Sequence, residues 1–401
     1  MSRARDAFVR HLAQTSDAPI GLEIERAEGC WLYCADGRRY LDLIAGIGVS
    51  ALGHGNPAVL AAIERQSRRH LHAMVYGEYV IAAQAEYAAR LAEALPGNLS
   101  RVYFTNSGAE AIEGALKTAR KFTGRTTFVA FDGAYHGDTM AALALMGNAA
   151  FRAPFEPLPG PVRRLPFDDG AVLEAIDESV AAVVIEPIQA EGGVRIPSRD
   201  FMLALRERCS QIGALLIFDE VLTGFGRTGR LFALEHFDVR PDLIVLAKAL
   251  GGGMPLGAFC GSDEILGRLA HDPPLGHITT FGGHPVSCAA GRAAFDQILS
   301  NRLWETAARS GAAFRAQLGK LVGRQILAVR GLGLLIGIEF AQAGVAHRFV
   351  AETIARGVVI NWTLNADRVV RLAPPLTIST AELDFALAAM KHALEAIAAG
   401  G

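Results

Sequence analysis

The middle of the chain repeats one pattern. A short apolar run, rich in β-branched residues, ends in polar or glycine positions, and a helical stretch follows. Such runs lie at 101–104, 127–131, 181–185, 214–218, 242–246 and 257–260. Unbroken apolar runs of this length suit strands buried on both faces. Their alternation with helical patterns implies parallel crossovers and an α/β fold. Helices are expected at 109–122 and 199–212. The two ends of the chain differ from the middle. The first 45 residues hold strand-like stretches at 21–26 and 31–34, with a turn at Asp36-Gly37. Beyond about residue 290 the pattern predicts a long helix at 288–299 and 304–321, strands at 326–330 and 334–340, and a last helix at 380–398. The expected organisation is therefore a large α/β domain over 46–290. A smaller α+β domain is expected to combine residues 1–45 with residues 291–401.

Composition narrows the function classes. Of 401 residues, 51% are hydrophobic and 20% charged, as in an ordinary globular protein. The formal net charge of −2 offers no footprint for nucleic acid or an anionic membrane. No apolar run approaches the roughly 20 residues of a membrane span. The basic opening has no apolar stretch behind it, so it is not a secretory signal, and Asp6 among Arg3, Arg5 and Arg10 argues against a transit peptide. The scattered cysteines, Cys30, Cys34, Cys209, Cys260 and Cys288, read as reduced thiols of a cytoplasmic protein. They do not form a convincing metal site. Nucleophile-elbow, zinc-protease, EF-hand and Walker A motifs are missing. Gly251-Gly252-Gly253 does not extend to a dinucleotide-binding fingerprint.

One lysine stands out. Lysine occurs only at 117, 121, 248, 320 and 391, and four of these fall on solvated helical patterns. Lys248 instead follows the apolar run that ends at Leu246 and precedes Ala249-Leu250-Gly251. That places it at the carboxyl end of a parallel strand, where open α/β sheets bind ligands. Burial there disfavours the ammonium and frees a nucleophilic amine, suited to a Schiff base with an aldehyde cofactor. A lysine snorkelling from a strand end is the plainer alternative. Two upstream features bear on the choice. Asp219 ends the run 214–218, where a carboxylate could partner a pyridinium nitrogen and keep the ring an electron sink. Ser107 joins a strand to a helix, and the free amides of that helix start make a phosphate cup. Each could be a simple helix or turn cap. Cup, carboxylate and lysine in this order are harder to obtain by chance.

With these residues in place, the sequence resembles the class III pyridoxal-phosphate (PLP) aminotransferases, the family of ornithine, acetylornithine and 4-aminobutyrate aminotransferases. The similarity runs from about Gly21 to Leu394. It is carried by LDLIAGIGVSALGHGNP (41–57), TNSGAEAIEGALKTAR (105–120), YHGDT (135–139), EPIQAEGG (186–193), DEVLTGFGRTG (219–229), LAKALGGGMPLGA (246–258), TTFGGHPVSCAAG (279–291) and RLAPPLTI (371–378). The resemblance implies PLP fold-type I, with a mostly parallel seven-stranded sheet flanked by helices. It also implies a homodimer with a shared active site. Lys248 would carry the Schiff base and shuttle a proton, and Asp219 would pair with the pyridine nitrogen. Val221 and Tyr135 would sandwich the ring, and Ser107, Gly108 and Ala109 would hold the phosphate with Thr280 of the other subunit. Glu186 would stand behind them, and His136 would be a structural member of the cofactor set rather than a base. Arg371 would bind the carboxylate of glutamate or 2-oxoglutarate, with Glu191 as its gate partner. No metal is implied.

The expected reaction is a ping-pong ω-aminotransferase, moving nitrogen from a terminal or distal amine to 2-oxoglutarate or pyruvate. A PLP decarboxylase or aminomutase on the same scaffold is the alternative, since fold does not decide reaction. Some positions depart from the family pattern. Asp138 stands where acetylornithine and ornithine aminotransferases commonly carry arginine. Leu222 stands for a common glutamine, Ala190 for glycine and His284 for asparagine. These leave the central chemistry alone and put the amine donor in question.

Overall fold

The computed structural model of the protein describes residues 2–399. Its centre is a seven-stranded sheet. Across the sheet the strands are Arg101–Thr105, Gly257–Gly261, Leu243–Leu246, Leu215–Asp219, Val180–Ile185, Thr127–Phe131 and Val162–Leu165. Only Gly257–Gly261 runs against its neighbours, so six strands point their carboxyl ends the same way.

Helices cover both faces, which is why the strands read as unbroken apolar runs. Ala182, Val184, Leu215 and Ile217 pack on one side with Ala111, Ile112, Ala115 and Leu116 of the helix Gly108–Thr123. Val183, Ile185, Leu216 and Phe218 pack on the other with Phe201, Met202 and Leu205 of the helix Arg199–Ile212. Burying each of the larger side chains contributes on the order of 2 kcal/mol. Both helices start at a serine cap, Ser107 accepting from Glu110 N and Ser198 from Phe201 N, and both stop at a left-handed glycine, Gly124 and Gly213. The expected helix limits at 109–122 and 199–212 therefore hold to within a residue.

The seventh strand, Val162–Leu165, is not marked by the apolar pattern. It lies at the sheet edge, and its Arg163 and Arg164 are only half-buried. An edge strand needs no continuous apolar run.

The chain ends build two further sheets. Ile24–Glu28, Trp31–Cys34 and Arg39–Asp42 form an antiparallel meander, and Val358–Val359 adds to it in parallel with Leu41 and Asp42. Ile326–Leu332, Leu335–Phe340, Val369–Leu372 and Asn361–Trp362 form the other. The strand Arg39–Asp42, the helix Ala343–Ala355 and the two-residue strands escape the pattern because they are short or mixed. Pairing between the two chain ends supports our proposed division at about residues 45 and 290. Met1, Gly400 and Gly401, at the outer limits of that division, lie outside the described residues.

One close approach seats the antiparallel strand. A Cβ at Gly257 would lie 2.2 Å from the Ser107 carbonyl and 2.5 Å from Thr105 Oγ1. Only glycine lets the strand start against that turn. Gly257→Ala is therefore expected to lower stability by roughly 1–3 kcal/mol, as for other overpacked sites. A fall in the urea midpoint at unchanged slope checks this; an unchanged midpoint would show that the turn yields without cost.

Candidate active site

Five of the parallel strands deliver a residue to one region at their carboxyl ends. Leu243–Leu246 leads through Ala247 to Lys248, which opens the tight turn Lys248–Gly251 with φ of 50°. A left-handed lysine costs on the order of 1 kcal/mol or more and persists only where its surroundings fix it. Burial holds its ammonium below the ordinary 10.5, and the Arg371 guanidinium acts the same way. The carboxylates of Glu191, Asp219 and Glu186 act against both.

Asp219 ends the adjacent strand and is buried. One oxygen accepts from Val221 N at 3.0 Å, and the other takes the Nδ1 proton of His136 at 2.7 Å. The carboxylate thereby fixes the histidine tautomer. Burial works against charge on His136, but Asp219 outweighs it and raises its pKa above the usual 6.5. This pairing spans 83 positions of sequence. His136 Nε2 and Thr139 Oγ1 are buried without a partner among the described residues.

Thr105 leads to Ser107, whose side chain caps the helix. The amides of Gly108 and Ala109 open that helix and have no preceding turn to donate to. Glu186 follows the strand Val180–Ile185. It accepts from Tyr135 N at 3.1 Å and Ala190 N at 2.9 Å, and burial raises its pKa to about 7. Tyr135 donates its hydroxyl to Asp138 at 2.7 Å. Burial, with that hydrogen bond, pushes the Tyr135 phenol well up.

Glu191 and Arg371 form an ion pair, with Arg371 1% exposed. Glu191 also accepts from Leu364 N at 2.8 Å. Burial alone would raise its pKa, but Arg371 and this amide bring it below the ordinary value. Arg227 of the 226–229 segment lies nearby, wholly buried, donating to the carbonyls of Leu334 and Pro374. Burial and Arg371 lower its pKa to about 9.

These residues surround a cavity of about 610 Å³. Its wall includes Ser107, Gly108, Ala109, Tyr135, His136, Glu186, Glu191, Asp219, Val221 and Lys248. Arg371 stands behind Glu191. Thr280 is not brought to this wall; within one chain it is exposed, in the loop before the helix Pro285–Ser300. Asp138, Ala190 and Leu222, which depart from the family pattern, do line the cavity, and His284 does not. Sequence reasoning missed Val49 and Met254 of the wall. Val49 reaches the wall because Ala45, Gly46, Ile47 and Gly48 before it all have positive φ, a bend that Ala45 and Ile47 do not signal in the sequence.

The buried amine has a measurable cost. Between its lowered folded pKa and 10.5, the unfolded chain holds the Lys248 proton and the folded chain does not. Lys248 therefore makes folding less favourable below that window, and the penalty fades as pH rises through it. Lys248→Met is expected to stabilise the cofactor-free protein near neutral pH by on the order of 1 kcal/mol. The gain should shrink toward pH 10.5, as read by paired urea titrations; a gain that grows with pH would contradict the burial argument.

The chain matches the model of the family Aminotransferase class-III over residues 12–394. It is 45% identical to the acetylornithine aminotransferase of Methanopyrus kandleri, over 96% of this chain and 97% of that one. It is 41% identical to the putrescine aminotransferase of Pectobacterium atrosepticum, over 86% of this chain and 76% of that one. The ornithine aminotransferase of Toxoplasma gondii, whose structure has PLP in partial occupancy at the active site, superposes with a TM-score of 0.90. It is 31% identical, over 98% of this chain and 94% of that one. The chain belongs to the class III aminotransferases, enzymes of fold-type I that depend on PLP.

Proposed function

We propose that this enzyme is an ω-aminotransferase that takes nitrogen from a terminal or distal amine and passes it to 2-oxoglutarate or pyruvate in a ping-pong reaction. One arrangement carries the reading: Lys248 and Asp219 at the ends of adjacent strands, beside the Glu191–Arg371 pair. The relatives support it, since acetylornithine, putrescine and ornithine each bear an amine at the end of an aliphatic chain.

The residues present fit PLP. A Cβ at Gly108 would press on Val221, 3.0 Å from Cγ2, so this wall is shaped close to the helix start. The amides of Gly108 and Ala109, with Ser107, suit a phosphate. Asp219, clamped by His136, suits a protonated ring nitrogen, and Val221 and Tyr135 suit its two faces. When bound, PLP supplies an aldehyde that captures amines and a ring that accepts the electrons of a broken C–H bond.

Lys248 Nζ would hold the PLP aldehyde at rest and, once freed, would carry the proton at the amine-bearing carbon. Asp219 would keep a proton at the ring nitrogen, and Glu186 steadies the Tyr135 backbone. Arg371 binds the acceptor's carboxylate; Glu191 neutralises it while a donor without that carboxylate is bound. A buried charge left alone would be costly, so the gate must close as the ligand leaves. We further infer a homodimer in which Thr280 reaches the partner's phosphate site. Its exposed position on the 271–284 loop is in keeping with this. Among the described residues no helix is long and apolar enough to cross a membrane. Five free, buried cysteines accord with a cytoplasmic setting.

The PLP-loaded protein should absorb near ~420 nm, lose the band on borohydride reduction, and carry the label on Lys248. Lys248→Ala should lose at least ~100-fold in kcat/KM. With an amine and 2-oxoglutarate, glutamate should appear in step with amine loss; CO2 release, or nitrogen returned to the same molecule, would favour the decarboxylase or aminomutase instead. Sedimentation should give a dimer, and a monomer that is fully active would remove Thr280 from the site.

A further inference from the structure

The charged groups on the cavity wall are nearly all engaged. Glu191 is paired with Arg371 and Asp219 with His136, and Glu186 accepts two backbone amides. Lys248 is assigned above. Asp138 differs. It is exposed, it lines the cavity, and among the described residues it has no ion pair. Its one recorded side-chain partner is the neutral hydroxyl of Tyr135, at 2.7 Å.

The backbone holds this carboxylate in place. Tyr135 is tied through its amide to Glu186, and His136 through its ring to Asp219. Gly137, with φ of 120°, lies so close to Ala109 that a Cβ would come within 2.6 Å of the Ala109 Cβ. Asp138 follows these anchors directly, so its backbone is held at the wall, and the Tyr135 hydroxyl orients its carboxylate. A carboxylate fixed in a concave, partly apolar wall attracts cations more strongly than one on open surface, because less water screens it. It repels a second carboxylate by the same rule. The apolar residues Val49, Leu222 and Met254 also line the cavity and suit an aliphatic stem.

We propose that Asp138, steadied by the Tyr135 hydroxyl, reads the far end of the amine donor as a cation, so that the preferred donors are aliphatic diamines rather than ω-amino acids. This rests on the ω-aminotransferase reading and names the donor class for that same cavity. One amine of the donor reaches Lys248, and the other, as an ammonium, lies at Asp138. A hydrogen bond between charged groups in such a setting is worth roughly tenfold or more in affinity. Asp138 acts on donor choice and takes no part in the proton transfer.

The test uses the PLP-loaded enzyme with 2-oxoglutarate and three donors of similar reach: 1,5-diaminopentane, pentylamine and 5-aminopentanoate. Wild type should favour the diamine over 5-aminopentanoate by about tenfold or more in kcat/KM. Asp138→Asn should erase most of that preference, chiefly through a raised KM for the diamine. Asp138→Glu should recover part of it, and Asp138→Arg should turn it toward 5-aminopentanoate. Tyr135→Phe should weaken the cation preference without abolishing it, because it removes the hydrogen bond that steadies Asp138 but leaves the carboxylate charge in the wall. A wild type that prefers 5-aminopentanoate would overturn the proposal, as would an Asp138→Asn enzyme slowed equally on all three donors. Wild type inactive with every donor in a wider amine panel would overturn the ω-aminotransferase reading and this proposal with it. Brisk turnover without discrimination would overturn this proposal alone.

Discussion

A lysine amine enclosed at the edge of a parallel sheet must be balanced by its surroundings, and the rest of the site is arranged around that demand. Lys248 loses water and gains Arg371 as a neighbour, and both disfavour its charge. Glu191, Asp219 and Glu186 pull the other way, but each is already engaged. Asp219 is committed to His136, Glu191 to Arg371, and Glu186 to two amides. The net result is an amine more easily freed of its proton than an ordinary lysine, which is what a nucleophile requires. Arg227 sharpens the arrangement. Two buried guanidiniums, Arg227 and Arg371, stand near each other, and burial together with Arg371 holds Arg227 down to about 9. Whenever Glu191 leaves Arg371, the positive potential left behind favours any carboxylate that can enter. Breaking a buried pair with nothing to replace it costs about 3–5 kcal/mol, so exchange of one carboxylate for another is the economical path.

The same residues join the two ends of the chain to its middle. Asn365 donates to the carbonyls of Gly133 and Ala134, and its own amide donates to the Glu191 carbonyl. Leu364 donates to the Glu191 side chain, and Arg371 closes the set from the strand Val369–Leu372. The segment from about 363 to 371 is thus sewn to the turn that carries Tyr135 and His136. A shift of Glu191 would break its side-chain bonds to both Leu364 and Arg371, so the proposed carboxylate gate would be mechanically linked to this junction between chain ends and centre. Coupling of this kind needs no long pathway, because the participants touch.

How much of this was legible in the sequence follows from what each residue is asked to do. Strands buried on both faces must be apolar throughout, so the inner strands announce themselves. Val162–Leu165 does not, since its arginines reach out at the sheet edge. Val358–Val359 and Asn361–Trp362 are too short to carry a period at all. Lys248 was legible because lysine is scarce here and its neighbours are apolar or glycine. The pairing of His136 with Asp219 was not legible from the residues alone; it depends on a fold that brings positions 83 apart within 2.7 Å. Val49 entered the wall through a left-handed bend that includes Ala45 and Ile47, residue types that give no hint of positive φ.

The departures from the family pattern separate chemistry from selection. Lys248, Asp219 and Glu186 sit where strands end, each fixed by main chain on a rigid sheet. Substituting any of them disturbs the charge balance of all the others. Asp138 and Leu222 line the same cavity from loops and stand outside that network of charges. A change there would alter what the cavity attracts without disturbing those buried charges. Loops on a rigid scaffold are where such variation is tolerated. Asp138 follows three residues that are pinned to the core, so its backbone is held in place, while its exposed carboxylate accepts from the Tyr135 hydroxyl. Under the proposed function, a carboxylate set there can steer donor choice while the charges around Lys248 stay as they are.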